Sequence, residues 1–173
     1  SLFRPLGMIS QAEHLNGFVV DNGETRMWIG KRSPFKAVDP DKLDNLVGGG
    51  VATGESLAEA CMREGFEEAG LDESITGNQP MPRCIYSQRA VSRGLHREHF
   101  FVYDLHIPEG FIPENQDGEV AAFQLMDIPS IVDAMLTGRF MNDAMLVTLD
   151  GLLQRGFITA GSELGTWLLA QRC

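Results

Sequence analysis

The sequence contains few cysteines, few basic residues and no long apolar run. Its three cysteines are Cys61, Cys84 and Cys173. Because their number is odd and their spacing wide, we expect reduced thiols in a cytoplasmic protein and no zinc site. No apolar run approaches the roughly 18 residues of a membrane helix. No basic segment followed by an apolar one opens the chain, so the sequence predicts neither a signal peptide nor a membrane partner.

Basic residues are also scarce, with 14 Lys and Arg against 24 Asp and Glu, for a formal charge of −10. Neutralising nucleic-acid phosphates requires a basic face, so we expect no nucleic-acid partner. An acidic chain can still act on an anionic substrate when a divalent metal supplies the positive charge. Without repeats, low-complexity stretches or a Pro/Ser-rich linker, residues 1–173 are expected to form a single domain.

Turn residues and apolar runs predict strands before and after helices. Apolar runs at residues 17–20 and 27–29 flank Asn22-Gly23, which is a strong hairpin signal. Ser56 with Glu59 forms a capping box and Gly70 a C-cap, which predicts a helix over residues 56–69. This mixture favours an α/β (α+β) fold in layers. The other predicted elements are a loop over residues 31–44, strands at 83–87, 100–107 and 120–125, and helices at about 128–136, 143–155 and 163–169.

Three glutamates share one face at the end of the first predicted helix. Glu64, Glu67 and Glu68 are three and four residues apart, so their carboxylates project in the same direction. The C-terminal end of the helix dipole disfavours each acid by about 0.3–1 kcal/mol, and like charges four residues apart repel. A cation bound among them would remove this cost. The alternative is an acidic face exposed to solvent, which is the usual meaning of a run of charges.

The ligands that this cluster offers are all oxygen atoms. Mg²⁺ and Mn²⁺ prefer such ligands and bind substrate phosphates as well. The glycine run at residues 48–50 can bring a backbone carbonyl close to the metal. Arg63 can orient a carboxylate through its guanidinium or offset part of the negative charge. The sequence therefore predicts a Mg²⁺ or Mn²⁺ site between the glycine run and the helix.

The segment from Gly49 to Leu71 matches the pattern Gly-x5-Glu-x7-Arg-Glu-U-x-Glu-Glu-x-Gly-U at every fixed identity, where U is bulky and apolar. A chance match is on the order of 10⁻⁶ per chain. The chain therefore resembles the Nudix hydrolases, which implies an α/β/α sandwich with a mixed β-sheet and this motif, the Nudix box, as loop–helix–loop. One U position is occupied by Gly65, so we expect a close neighbour there, with Met62 and Phe66 supplying apolar volume.

The resemblance implies roles for residues of the box. Glu64 and Glu68 would bind the metal directly, Glu67 directly or through water, and Gly49 through its carbonyl. Glu55 would brace the loop against the helix. The implied reaction is metal-assisted substitution at phosphorus, in which a carboxylate deprotonates a metal-bound water.

The catalytic residues expected from this resemblance are Glu64, Arg63 and Glu119. Glu119 precedes a predicted strand and is placed to act as an additional ligand or as the general base, although an ordinary loop acid is the alternative. The sequence does not choose between Glu64 and Glu119 as the base. Arg32 and Lys31, which follow a predicted strand, could both contact a terminal phosphate. Arg32 is the preferred candidate, because the alternative of a solubilising strand end is more natural for Lys31.

Residues 14–19, 27–33 and 42–50 resemble a finer group, related to the Nudix domain of fungal thiamine pyrophosphokinase. Its members usually carry an extra N-terminal region of roughly a hundred residues, a common small-domain length. The implied substrates are oxidised or damaged thiamine diphosphates. One alternative has the same chemistry: a pyrophosphatase of ADP-ribose or of another compound in which a nucleoside diphosphate is linked to a second moiety. The alternatives of other classes are a non-catalytic nucleotide-binding regulatory module and a Nudix isomerase.

Other side chains carry weaker signals. The four histidines show no ligand spacing, so the sequence assigns them no chemistry. An apolar stripe near the C-terminus predicts either core packing or a subunit contact in a homodimer. The candidates for stacking on a heterocycle, each more often a core residue, are Trp28, Phe35, Tyr86 and Phe101. The members of the stripe are Met145, Leu146, Leu149 and Leu153.

Overall fold

The computed structural model describes residues 8–92 and 94–173, which form seven strands and five helices. The strands are β1 (Ile9–Asp21), β2 (Glu24–Arg32), β3 (Leu43–Asp44), β4 (Val47–Gly50), β5 (Arg83–Val91), β6 (Gly94–His106) and β7 (Val120–Asp127). The helices are α1 (Leu57–Ala69), α2 (Glu73–Thr76), α3 (Ile128–Leu136), α4 (Asn142–Gln154) and α5 (Glu163–Ala170). Among these residues, no helix is both long and apolar enough to cross a membrane.

All seven strands belong to one mixed sheet, with β1 at the centre of the order β3-β2-β1-β6-β5. β1 runs parallel to β6 along one edge. On its other edge β1 changes partner, because residues 12–15 pair with β4 and residues 17–21 pair with β2. The sheet therefore divides at Asn16, and the glycine-rich β4 lies beside the first half of β1.

Helices cover both faces of this sheet. On one face, Cys61 of α1 packs in a cluster with Leu15 and Leu105. On the other face, Val147 of α4 packs against Phe100. Burial from both sides explains the unbroken run of buried residues in β1 from position 13 to 19. The arrangement confirms the predicted α/β/α sandwich with a mixed sheet.

Local sequence signals predicted two elements correctly. The turn between β1 and β2 places Asn22 at φ +48° and Gly23 at φ +77°, a conformation that these residues tolerate better than most. Helix α1 begins after Ser56, which accepts a hydrogen bond from the amide of Glu59 while the Glu59 side chain accepts one from the Ser56 amide. The helix ends at Gly70 with φ +66°. Both predictions depended on contacts within a few residues.

Long-range pairing extended several strands beyond their predicted limits. β1 begins at residue 9 rather than 17, since its first half pairs with β4 and β6. The pairing of β5 with β6 extends as far as Val91 and Gly94, and the segment predicted as a loop over 31–44 holds the end of β2 and all of β3. The apolar stripe of α4 is core: Leu153 is buried, and Met145 and Leu146 pack against buried clusters.

The prediction of three reduced thiols is wrong for two of them. Cys84 in β5 and Cys173 form a disulfide, whereas Cys61 is free and buried. The Cys173 amide also donates to the Cys84 carbonyl at 2.9 Å, so the C-terminal residues lie along the edge of β5. The two cysteines are 89 residues apart in sequence, and only the fold brings them together. The thiol argument for a cytoplasmic location therefore no longer holds.

Reducing this disulfide should lower the stability of the protein. A crosslink across a long loop restricts the unfolded chain and typically contributes about 2–4 kcal/mol. We expect dithiothreitol to move the urea unfolding midpoint of the wild type downward, to the value of a Cys84→Ser/Cys173→Ser variant, which itself should not respond to dithiothreitol. Equal midpoints for the oxidised and reduced wild type would contradict the assignment.

Candidate active site

The three glutamates of α1 occupy different environments. Glu68 is 5% exposed, Glu64 is nearly buried and Glu67 is about half exposed. Burial raises the pKa of Glu64, and the hydrogen bond from Arg63 offsets part of this effect. Burial also raises the pKa of Glu68 well above its usual range, although the Gly48 amide donates to its carboxylate. Without a cation, these acids are destabilised by burial and by one another.

The glycines of β4 allow the acids to approach the backbone. A Cβ atom at Gly49 would lie 2.3 Å from the carboxylate carbon of Glu64, so a larger residue would displace that carboxylate. The Gly48 amide donates to Glu68 Oε2 at 3.0 Å. β4 and α1 therefore hold two carboxylates against one short stretch of backbone, as expected for a loop–helix site.

Arg63 joins helix α1 to the segment before it, residues 48–55, which is called the glycine loop below. Its guanidinium donates two hydrogen bonds to Glu55, at 2.7 and 2.9 Å, and one to Glu64 at 2.7 Å. A longer contact reaches Glu67 at 3.4 Å. The hydrogen bond from Arg63 is the main reason that the pKa of Glu55 falls to about 2. Arg63 and Glu55 thus fix the loop, and Arg63 orients Glu64.

A second acidic segment reaches the cluster from the loop before β7. Ligand atoms of Glu68, Asp117 and Glu119 all lie within 4.8 Å of one another. Lys36 also pairs with Glu119 at 2.7 Å. The structure thus brings Glu119 to the predicted site and adds Asp117, to which the sequence assigned no role. The only signal for Asp117 was its position two residues before Glu119.

Hydrogen bonds to the end of α1 place this loop. The amides of Glu114 and Gln116 donate to the carbonyls of Ala69 and Glu67, at 3.0 and 2.9 Å. The Asn115 side chain donates to the carbonyl of Glu68 at 3.0 Å. The last carbonyls of a helix have no partner within the helix. Because the loop satisfies them, its acids lie beside Glu68.

This donor set fits a divalent cation. The carboxylates of Glu64, Glu68, Asp117 and Glu119 and the backbone at Gly49 offer oxygen ligands only, as Mg²⁺ and Mn²⁺ prefer. Buried acids that repel one another are stabilised when a cation lies among them. The cluster could therefore hold a metal ion.

Arg32 lies near this cluster, with its guanidinium engaged by the protein. It pairs with Asp44 at 2.8 Å and donates to the carbonyl of Val38 at 3.1 and 3.0 Å. Arg32 lines a cleft of about 800 Å³ that also includes the glycine loop. Lys31 does not line this cleft, and its side chain is half exposed. Arg32 therefore remains the candidate contact for phosphate.

The same cleft includes residues that the sequence did not single out. His14, His96 and Phe100 line it, together with Glu98 and Asp143. The four aromatic residues predicted as stacking candidates do not belong to its wall, and Phe35 is 94% exposed. The spacing of these polar residues along the sequence does not indicate that they share a cleft. Only the pairing of the strands brings them together.

Gly65 has the close neighbour that its small size predicted. A Cβ atom at Gly65 would lie 2.9 Å from Thr76 Cγ2 and 3.5 Å from Leu71 Cδ1. Phe66, expected to supply apolar volume here, is 57% exposed. Residues after the helix therefore fill this space.

Comparison with known proteins agrees with the geometry. The NUDIX domain family matches residues 16–144. Nudix hydrolase 24, chloroplastic, of Arabidopsis thaliana is 36% identical over 154 residues, covering 88% of this chain and 42% of that protein. The chain spans about half the length, or less, of the curated relatives that it matches first.

Solved structures share the fold at low sequence identity. DR0079 from Deinococcus radiodurans has a TM-score of 0.57 at 22% identity, covering 80% of this chain and 81% of that one. The NUDIX domain of Shewanella oneidensis NrtR, complexed with ADP ribose, has a TM-score of 0.56 at 11% identity, covering 73% of this chain and 77% of that one. The match of the family over about three quarters of the sequence, on the same segment that holds the acidic cluster, shows that the chain belongs to the Nudix family.

Proposed function

We propose that residues 1–173 act as one Nudix domain that hydrolyses a diphosphate bond in a small organic diphosphate with the help of Mg²⁺ or Mn²⁺. The observation that carries this proposal is the pair of buried acids, Glu64 and Glu68, packed against β4. Stability alone would favour neutral residues there. Retention of every acid of the box also counts against a purely ligand-binding regulatory module, which has no use for mutually repelling carboxylates.

In this proposal Gly49, through its carbonyl, and Glu64, Glu67 and Glu68 would hold the metal. When bound, such a metal would neutralise charge on the phosphate oxygens and would make the attacking water easier to deprotonate. Arg63 keeps Glu64 in position through its 2.7 Å hydrogen bond. Glu64 or Glu119 accepts the proton of the attacking water. Glu64 lies against Gly49 of the glycine loop, and Glu119 lies next to Glu68.

For the substrate we propose a thiamine diphosphate-like compound, oxidised or damaged. The support is the resemblance of residues 14–19, 27–33 and 42–50 to the group related to fungal thiamine pyrophosphokinase, together with a cleft of a size that fits such a ligand. ADP-ribose is the second candidate, because the Nudix domain of Shewanella oneidensis NrtR is complexed with it.

Product release from a panel of diphosphates tests the proposal. The panel contains thiamine diphosphate, oxidised thiamine diphosphates and ADP-ribose, each with Mg²⁺ and with EDTA. We expect metal-dependent hydrolysis, fastest on the oxidised thiamine compounds. Preference for ADP-ribose would replace the proposed substrate, and absence of hydrolysis on the whole panel would favour the regulatory module.

The Arg32→Ala variant should distinguish the two substrate types. A terminal diphosphate carries about one more negative charge than the internal diphosphate of ADP-ribose. Loss of one charge-assisted contact costs about 1.5–3 kcal/mol, or roughly 10–150-fold in kcat/KM. We expect this loss on thiamine-type diphosphates and a much smaller one on ADP-ribose. Arg26→Ala, near the other end of the same strand and away from the acidic cluster, is the control, and equal losses on both substrates would contradict the role of Arg32.

A further inference from the structure

The turn after β2 places Lys36 beside Glu119, one of the acids of the candidate site. The Ser33 amide donates a hydrogen bond to the Glu119 carbonyl at 3.0 Å, and the Lys36 amide donates to the Ser33 carbonyl at 3.1 Å. Ser33 is buried, which anchors the turn. The Lys36 side chain then returns to Glu119, whose Oε2 accepts a hydrogen bond from Nζ at 2.7 Å. Backbone and side chain together therefore hold Lys36 against Glu119.

Lys36 lies at the boundary between two spaces. It lines the cleft of about 800 Å³ that also includes the glycine loop. It also lines a smaller cavity, whose wall includes Glu68 and Glu119. Arg32 and Asp44 belong to both walls as well. The cleft and these two acids are therefore adjacent at Lys36.

The protein engages Arg32 and Lys36 differently. The Arg32 guanidinium is held by Asp44 and by the carbonyl of Val38. The Lys36 ammonium has three donors, and its hydrogen-bond partner within the described part of the chain is Glu119. This ion pair is partly open to solvent, with side-chain exposures of 27% and 48%. Ion pairs of this kind contribute little to stability, so Lys36 can change its partner at low cost.

Lys36 also supplies positive charge where acids crowd together. Ligand atoms of Glu68, Asp117 and Glu119 lie within 4.8 Å of one another, and carboxylates this close repel. An ammonium bound to Glu119 relieves part of this repulsion. A divalent cation among the same acids would relieve more of it and would repel the ammonium. Binding of that cation should therefore compete with the ion pair between Lys36 and Glu119.

We propose that Lys36 neutralises Glu119 in the metal-free protein and contacts a phosphate of the substrate when a divalent cation is bound. Its flexible stem of four carbons lets the ammonium change its partner while the turn stays in place. A phosphate beside the acids is the anion that the released ammonium would meet at the cleft. The inference rests on the proposed function, because it assumes that a divalent cation and a diphosphate bind at these acids.

Metal affinity in the absence of substrate tests the competition. Lys36→Met keeps the length of the side chain and removes its charge. By calorimetry, we expect this variant to bind Mn²⁺ roughly two- to fivefold more tightly than the wild type, since no ammonium has to leave Glu119. In a Glu119→Gln background the same change should have almost no effect, because the ammonium has no carboxylate to release. Lys42 donates to the Gly138 carbonyl and lines neither space, so Lys42→Met is the matched control and should keep the wild-type affinity.

Binding of methylenediphosphonate, a diphosphate analogue that is not hydrolysed, tests the phosphate contact. With Mg²⁺ present, Lys36→Met should bind it roughly tenfold more weakly than the wild type, because one charge-assisted hydrogen bond is lost. Lys36→Arg should keep most of the affinity, since a guanidinium also donates to phosphate. Lys42→Met should again match the wild type. A merely structural role of the ion pair would not produce opposite effects on the affinities for metal and for diphosphate.

Three outcomes would overturn the inference. The first is a Mn²⁺ affinity that Lys36→Met leaves unchanged or changes equally in both backgrounds. The second is an unchanged affinity of this variant for methylenediphosphonate, and the third is a wild type that binds neither Mn²⁺ nor methylenediphosphonate. Metal-dependent hydrolysis of the diphosphate panel alongside any of these would leave the proposed function standing. The expected affinity changes in a protein that hydrolyses none of the panel would instead count against the proposed hydrolysis alone.

Discussion

The Glu68→Gln variant is expected to lose roughly two to three orders of magnitude in kcat while remaining folded. Glu68 is buried at the centre of the acidic cluster, within 4.8 Å of Asp117 and Glu119. Glutamine keeps the volume and can still accept the hydrogen bond from the Gly48 amide. It removes the charge that would hold the metal. Without metal the variant should be as stable as the wild type or slightly more so, because burying an ionisable carboxyl beside other acids costs free energy that a neutral amide avoids.

Turnover and thermal melting, each with and without Mg²⁺, test this expectation. Metal should raise the Tm of the wild type by mass action, because only the folded protein assembles the ligands. The variant should show a smaller rise. Glu109→Gln, which makes the same change at an exposed loop position, should behave as the wild type. Near-normal turnover of Glu68→Gln would refute the assignment of this residue to the metal.

The Glu13→Gln variant should be more stable than the wild type above neutral pH. Glu13 lies on the centre of β1 and is 0% exposed. Neither of its carboxylate oxygens has a hydrogen-bond partner within the described part of the chain. Burial, reinforced by the charges of Glu64 and Glu55 and opposed by Arg63, raises the pKa of Glu13 to about 8. The folded protein therefore holds this proton over a pH range in which the unfolded chain has released it.

The direction of the pH effect follows from this difference. In the unfolded chain Glu13 loses its proton near its usual pKa of 4.5, so the wild type should lose stability as pH rises from about 4.5 to about 8. At about 1.4 kcal/mol for each pKa unit, the full loss amounts to roughly a few kcal/mol. Glutamine is neutral throughout. The two proteins should therefore match near pH 4.5 and diverge toward pH 8.

Urea unfolding in EDTA at several pH values measures this divergence. EDTA is needed because a bound metal would change the charge beside Glu64. Cys61 and Tyr103, whose pKa values also respond to the charge of Glu13, both have pKa values raised to about 12, mainly by burial, and stay neutral over the range. Glu24→Gln, at an exposed position of β2, is the matched control. If the free energies of unfolding of the wild type and of Glu13→Gln change equally with pH, the folded protein does not favour the neutral form of the Glu13 carboxyl.

The sequence by itself determined the features that depend on near neighbours. The spacing of Glu64, Glu67 and Glu68 places them on one side of any helix, since the helical repeat is 3.6 residues. The caps of α1 and the Asn22-Gly23 turn needed only residues within three or four positions. The box also identified the family, because its fixed identities are too many to match by chance. Each of these signals is complete within one short segment.

Only the tertiary structure decided which distant residues join that segment. Asp117 and Glu119 reach Glu68 because the preceding loop satisfies the last carbonyls of α1, a need that no local pattern shows. Glu98 and His96 face the cleft because β6 pairs with β1 in one register, and a shift by one residue would turn them to the other face. The Cys84–Cys173 bridge likewise joins positions 89 residues apart. Strand register and loop docking are set by the free energy of the whole packed sheet, and local sequence does not specify them.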